Sequence, residues 1–287
     1  MREKMILEKF FGGRTMVVAS RHEKEKVLQP LMEQHLGVHV AIARELDTDK
    51  FGTLSGEVER DGSPLETAKR KCKAASELTG ADLVLASEGS FGAHPVIGFL
   101  PADEEIVLLM DFKNKTEYKA KLISTQTNFS GGEYFDWQPV LYFASGANFP
   151  SHGLIVRKGK NDFSEIDKGI VEWDRLKESF CKFKDKYGRA YIETDMRAML
   201  NPTRMKVIKE TGEKLVGIIK NFCPVCDGPG FEVKEIIRGL ACRQCNAPTQ
   251  TAKAYIYLCQ HCGHEQKKTF PDKKQKEDPM FCDQCNP

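Results

Sequence analysis

Residues 15–20 (TMVVAS) form a short, almost unbroken apolar run, the pattern of a strand buried on both faces. The run passes into the charged stretch 21–26. After it Val27, Leu28, Leu31, Met32 and Leu36 recur on one side of a helix that Gly37 closes. Pro30 lies inside that pattern, so the helix is kinked or its regular part starts late. Residues 38–43 predict a second strand. A strand–turn–helix–strand opening points to an α/β sheet, in which ligands bind at the carboxyl ends of the strands.

Residues 63–66 read Ser-Pro-Leu-Glu, a capping box with proline at the first helical position. Leu65, Ala68, Cys72, Ala75 and Leu78 give that helix its buried face, and Thr79-Gly80 stops it. A strand over 83–86 follows and is expected to end at Ser87-Glu88-Gly89. Residues 105–111 and 119–123 flank a polar turn and predict a β-hairpin. Residues 140–143 and 153–157 predict further strands. From Ile166 to Tyr187 apolar residues return every three or four positions, predicting a helix of about six turns. That helix is expected to pack on the α/β core, with a homodimer seam as the alternative. Asn201 and Pro202 are N-cap and N1 residues for a last helix to about Lys220. Arg204 in its first turn opposes the helix dipole, which implies a carboxylate or phosphate partner. Asp195 is the candidate, as an ion pair ahead of ligand binding.

Beyond residue 220 the periodicity gives way to cysteines. Eight of the ten fall in four C-x-x-C pairs: Cys223/Cys226, Cys242/Cys245, Cys259/Cys262 and Cys282/Cys285. Each pair offers two sulfurs from one tight turn, and zinc takes four in a tetrahedron. The gaps between successive pairs are 15, 13 and 19 residues, all closable by a hairpin. Sequential pairing into two ribbons, first with second and third with fourth, is favoured; the cross-braced alternative stays open. Both sites read as structural, because four thiolates leave no position for a substrate. His261 and His264 flank Cys262 as bystanders. Cys72 and Cys181 each stand alone on a predicted helix and read as core packing.

Composition narrows the class. The 287 residues are 40% hydrophobic, enough for a packed core. A formal net charge of +2 gives no global electrostatic case for nucleic acid or membrane. With neither an export signal nor a membrane-length apolar run, the expectation is a soluble, cytoplasmic protein without a membrane partner. Arg238, Arg243, Lys267, Lys268, Lys273, Lys274 and Lys276 are candidate phosphate contacts near the cysteines, set against eight acidic residues in 221–287.

The order of motifs in the first part is similar to the inosine triphosphate pyrophosphatase-like superfamily. The resemblance rests on the strand running into the basic loop at 16–26, on S-P-L-E-T-A-K-R-K-C-K-A-A at 63–75, on Thr79-Gly80 and on Glu88-Gly89-Ser90. The superfamily's helix carries a Glu-Asn-Ala-x-x-Lys-Ala pattern. Glu66, Thr67, Ala68 and Lys71 match it, with threonine for asparagine and Cys72 for the last alanine. The resemblance implies a mixed-sheet fold and magnesium-dependent hydrolysis of a nucleotide phosphoanhydride. It implies Glu88 as the metal- or water-holding carboxylate and Glu66 as its support, although the capping box alone also explains Glu66. Ser20, Arg21, Lys24 and Lys71 would contact phosphate, and Arg197 and Arg204 join them as cationic candidates. Asp47, Asp49 and Glu57, in a glycine-containing loop, are further candidate ligands. The whole layout also resembles a bacterial family of unassigned activity that ends in tandem zinc ribbons.

The expected organisation is therefore an α/β nucleotide-hydrolase-like domain over 1–160, a helical connector over 161–220 and a double zinc-ribbon domain over 221–287. Two structural zinc ions and a magnesium ion are the expected cofactors. The alternative function is a non-catalytic module that binds nucleotide, nucleic acid or protein, using the ribbons.

Overall fold

The computed structural model describes residues 1–52 and 61–287. Two compact units are present, one of residues 11–216 and one of residues 1–10 with 217–287. Helix α1 (Arg2–Phe11) belongs almost wholly to the smaller unit.

The larger unit opens with β1 (Thr15–Ala19), α2 (Glu25–Leu36), β2 (His39–Ile42), α3 (Pro64–Thr79), β3 (Leu83–Ala93), β4 (Pro101–Asp111) and β5 (Thr116–Ser124). The five strands form one mixed sheet in the order β2-β1-β3-β4-β5. β1 runs parallel to β2 and β3, whereas β3–β4 and β4–β5 are antiparallel. Local chemistry sets the helix ends. Gly37 takes the left-handed conformation (φ 68°) and donates its N–H to Glu33 O. The Ser63 side chain and Glu66 exchange both bonds of the capping box. Pro30 lies within α2 without ending it. One sheet face packs against α3 through Ala68, Cys72, Ala75, Val84, Ala86 and Leu108.

The strand expected to stop at Ser87 continues to Ala93. An antiparallel ladder with β4 runs unbroken from Leu83↔Asp111 to Ala93↔Pro101 and keeps the glycine-containing segment extended. The parallel partner is much shorter, and its ladder with β3 ends at Ala19↔Ala86. Glu88 thus lies inside a strand, just beyond the point where β1 stops.

A second, antiparallel sheet follows: β6 (Gly131–Tyr134), α4 (Trp137–Gly146), β7 (Leu154–Gly159), β8 (Asp162–Ile170), α5 (Trp173–Tyr187) and β9 (Ala190–Thr194), with strand order β6-β9-β7-β8. Two expectations fail here. Residues 140–143 lie in α4, not in a strand: a four-residue apolar run fits either state, and burial of Val140 and Ala144, one helical turn apart, selects the helix. The long helix over 166–187 divides. Ile166 and Ile170 are in β8, hydrogen-bonded to β7, and Gly169 at φ 72° breaks any helical path. Only Trp173–Tyr187 is helical, and its Leu176, Phe180 and Phe183 cover the sheet. Residues 161–220 accordingly form no helical connector, since β8 and β9 build half of the second sheet. Cys72 is buried as expected, but Cys181 lies exposed on α5.

Helix α6 (Pro202–Ile219) closes the larger unit. Asn201 Oδ1 caps it by accepting from Arg204 N at 3.0 Å. Gly212 brings α6 against α2: a Cβ there would stand 2.8 Å from Leu28 and 3.1 Å from Leu31. In the smaller unit β10 (Glu232–Arg238), β11 (Ala252–Leu258) and β12 (Glu265–Thr269) make an antiparallel meander. Among the described residues no helix is long and apolar enough to cross a membrane.

Candidate functional site

Where β1 ends, six ionisable side chains from separated segments are buried: Lys24, Lys71, Glu88, Asp103, Glu105 and Arg204. Lys24, just before α2, donates from Nζ to Ser87 O at 3.0 Å. Lys71 on α3 forms an ion pair with Glu88. Arg204 on α6 donates from Nε to Glu105 Oε1 at 2.6 Å and from Nη1 to Met196 O at 2.5 Å.

The β3–β4 register divides these groups between the two sheet faces. Glu88 pairs with Ile106, on the face that α3 covers. Ser87, Gly89 and Phe91 pair with Val107, Glu105 and Asp103 and present the other face, from which Arg204 approaches. Gly89 is required for that approach. A Cβ there would lie 2.3 Å from Glu105 Oε1 and 2.5 Å from Arg204 Nη2. The Arg204 guanidinium also stacks over Phe91 at 5.1 Å.

Several buried polar atoms here lack a hydrogen-bond partner among the described residues: Ser20 Oγ, Ser87 Oγ, both Asp103 oxygens, Glu105 Oε2 and Arg204 Nη2. Such atoms are rare in a packed interior, which makes this cluster the candidate site of the larger unit. The electrostatics agree. Burial and then the Glu105 charge push Asp103 up to about 8. Burial and then Arg204 pull Lys24 down to about 8. Lys71 and Glu88 balance each other on the α3 face, and Arg204 and Glu105 do so on the other.

The structure brings together Ser20, Lys24, Lys71, Glu88 and Arg204 and sends the other sequence candidates elsewhere. Arg21 points outward in a 2.6 Å pair with Asp47. Arg197 pairs with Asp195 at 2.6 Å, so the partner expected for Arg204 belongs to Arg197, and Glu105 takes its place. Glu66 is exposed and engaged with Ser63 N and Oγ at 2.7 and 2.8 Å. Glu57 and the Asp49 side chain lie outside the described residues. Sequence reading missed Asp103 and Glu105. Their signal was present: two acids two positions apart, on a strand face whose next members are Val107 and Leu109.

In the smaller unit the eight cysteines form two groups, Cys223/Cys226/Cys259/Cys262 and Cys242/Cys245/Cys282/Cys285. Sulfur–sulfur distances are 3.8 Å (Cys223–Cys262), 3.5 Å (Cys226–Cys259), 3.9 Å (Cys242–Cys285) and 3.6 Å (Cys245–Cys282). A tetrahedron with zinc–sulfur bonds of about 2.3 Å has edges of about 3.8 Å, so both groups fit a metal ion such as zinc. Backbone N–H groups of Val225, Gly228 and Gln244 point at the sulfurs at 3.4 Å. Asp227, Asn246 and Gly263, each following a C-x-x-C, take the left-handed conformation that turns the chain out of the loop.

The favoured sequential pairing is therefore replaced by the cross-braced one. The meander explains this. Pair one precedes β10, pair two separates β10 from β11, pair three separates β11 from β12, and pair four follows β12. Each strand carries the chain to the opposite end, so alternate pairs meet. His261 and His264 make ring contacts with Phe10 and Phe231 and belong to neither group.

Fold and cysteine groups together define a mixed α/β protein whose smaller unit carries two cross-braced four-cysteine groups. The chain belongs to the family described as Domain of unknown function (DUF6671), which matches residues 71–287. That span includes Lys71, Glu88, Asp103, Glu105, Arg204 and all eight clustered cysteines, but neither Ser20 nor Lys24. A UDP-glycosyltransferase 73C2 of Arabidopsis thaliana is 24% identical over 159 residues, which are 51% of this chain and only 29% of that protein. Protein VC0702 of Vibrio cholerae, a solved structure, aligns over 39% of this chain and 63% of its own with 10% identity and a TM-score of 0.27. That score does not establish a shared fold.

Proposed function

We propose that the buried polar cluster at the carboxyl end of β1, beside the middle of β3, binds a nucleotide through its phosphoanhydride and hydrolyses it. The observation behind this reading is the convergence of Ser20, Lys24, Lys71 and Glu88, from three separate segments, beside the point where β1 ends. The mixed sheet makes this the natural ligand position: β2 and β3 lie on either side of β1, so their connections diverge there.

In this reading Lys24 and Lys71 neutralise phosphate oxygens, and the Ser20 hydroxyl donates a further bond. Substrate phosphate competes with Glu88 for Lys71, and the freed carboxylate orients the attacking water. Water adds to phosphorus, the anhydride P–O bond breaks, and the leaving phosphate departs with the electron pair. Glu88 is also the hard oxygen donor that suits a magnesium ion, which needs few protein ligands when phosphates complete its shell and which would offset their charge. The inosine triphosphate pyrophosphatase-like resemblance supports the same chemistry. The partial plant relative, named for a UDP-linked activity, adds a UDP-sugar to the substrates worth assaying.

The Lys71–Glu88 pair supports a second reading, a pocket that holds nucleotide without turning it over, because both groups already satisfy each other. One assay separates the two. Canonical and deaminated nucleoside triphosphates and a UDP-sugar are incubated with magnesium, beside Glu88→Gln of verified fold. Release of phosphate or pyrophosphate that the variant abolishes supports hydrolysis. Nucleotide binding without turnover supports the second reading, and neither binding nor turnover rejects both.

A further inference from the structure

We infer that the zinc-type unit binds single-stranded nucleic acid in a groove along β12. The groove measures about 530 Å³, and its lining includes Asn221, Phe231, Tyr257, Gln266, Lys267 and Lys268. No carboxylate lines it among the described residues. Phe231 and Tyr257 stand 5.4 Å apart between ring centroids, and His264 stacks on Phe231 at 5.9 Å. Nearby acids are occupied: Glu265 faces Lys234 at 3.5 Å and Asp227 holds Arg2 at 2.6 Å. Lys267 and Lys268 are exposed and make no ion pair among the described residues.

This composition fits a strand of nucleotides better than a duplex or an acidic peptide. A base offers a flat face to the aromatic floor and ring nitrogens to the two amides, while its phosphates meet the two ammonium groups. β12 is an edge strand paired only with β11, so the groove is open along its length. The first cysteine group adjoins the floor, packing Cys223 and Cys259 on Phe231. Filled with zinc, it carries a formal charge near −2, which confines the phosphates to the lysine side. Two phosphate contacts give a shallow salt dependence: log affinity falls against log salt with a slope of about −1.4.

Fluorescence anisotropy on the zinc-loaded full chain tests this with fluorescein-labelled twelve-nucleotide oligo-dT and oligo-U, and with a duplex of the same length. Saturable binding to either single strand at low salt is expected, with weaker binding to the duplex. Lys267→Glu with Lys268→Glu should weaken it about tenfold or more. Tyr257→Ala should weaken it by roughly fivefold or more. Because Tyr257 also packs near the cysteines, its variant is read together with zinc content, and the exposed lysine pair decides the matter if that variant loses metal. The inference is overturned by absence of binding to both strands, by equal binding to duplex, or by full affinity in the zinc-loaded lysine variant.

Discussion

Arg204 and Glu105 stand 99 positions apart and meet in a 2.6 Å ion pair whose side chains are 1% and 0% exposed. Arg204 enters from the first turn of α6, where a cation faces the positive end of the helix dipole. Glu105 comes from β4, on a face otherwise apolar further along. Each charge would be costly alone, and the pair ties α6 to the sheet beside the buried polar cluster.

Breaking that pair from one side leaves a buried charge uncompensated. Arg204→Met should destabilise the larger unit by about 3–5 kcal/mol. The double variant Arg204→Met with Glu105→Leu should recover much of the loss. Urea denaturation of the single and double variants gives the coupling energy, and additive losses would show that the pair does not act as a unit.

Gly89→Ala should cost about 1–3 kcal/mol through overpacking, because its methyl group would displace the Glu105 carboxylate and the Arg204 guanidinium. Gly92→Ala, where nothing lies within 4 Å, is the control on the same strand. A thermal melt of each suffices, and equal midpoints would contradict the close approach at Gly89.

The joint contribution of Asp103 and Lys24 to stability should pass through a minimum near pH 8. Asp103 is pushed up from 3.8 to about 8, so between those values the folded chain keeps a proton that the unfolded chain has lost. Stability therefore falls as pH rises through that range. Lys24 is pulled down from 10.5 to about 8, so above pH 8 the unfolded chain binds more protons and stability recovers. Asp103→Asn should flatten the acid limb and leave the alkaline one. Urea midpoints across the range, for both proteins, are the measurement.

Cross-bracing predicts which cysteine pairs cost one metal and which cost two. Cys226→Ser with Cys259→Ser touches a single group and should leave one zinc per chain by native mass spectrometry. Cys226→Ser with Cys245→Ser touches both groups and should leave none. Sequential ribbons would give the reverse. Chelation should unfold β10–β12, since the four loops that hold the meander depend on metal.

The capping box, the left-handed stop at Gly37 and the C-x-x-C loops were all legible in the chain, because each depends on residues within four positions of one another. Ser20, Lys24 and Glu88 were legible as candidates because they sit beside predicted strand and helix ends, and Lys71 through the motif resemblance over 63–75. Residues 140–143 were not, because a four-residue apolar run has no period to tell a helix from a strand. Ile166 was not either, because a four-residue spacing suits both states and only hydrogen bonds to β7 resolve it.

What the sequence by itself determined is therefore local: the eight cysteines of the four C-x-x-C pairs, the helix ends and the basic and acidic groups available to a site. Tertiary structure alone decided that Glu105, not Asp195, receives Arg204, that Asp103 is buried beside them, and that alternate cysteine pairs share a group. Those outcomes turn on which strand ends face each other and which charges leave water together. Both are set by how segments tens of residues apart come together, which patterns within a few positions do not specify.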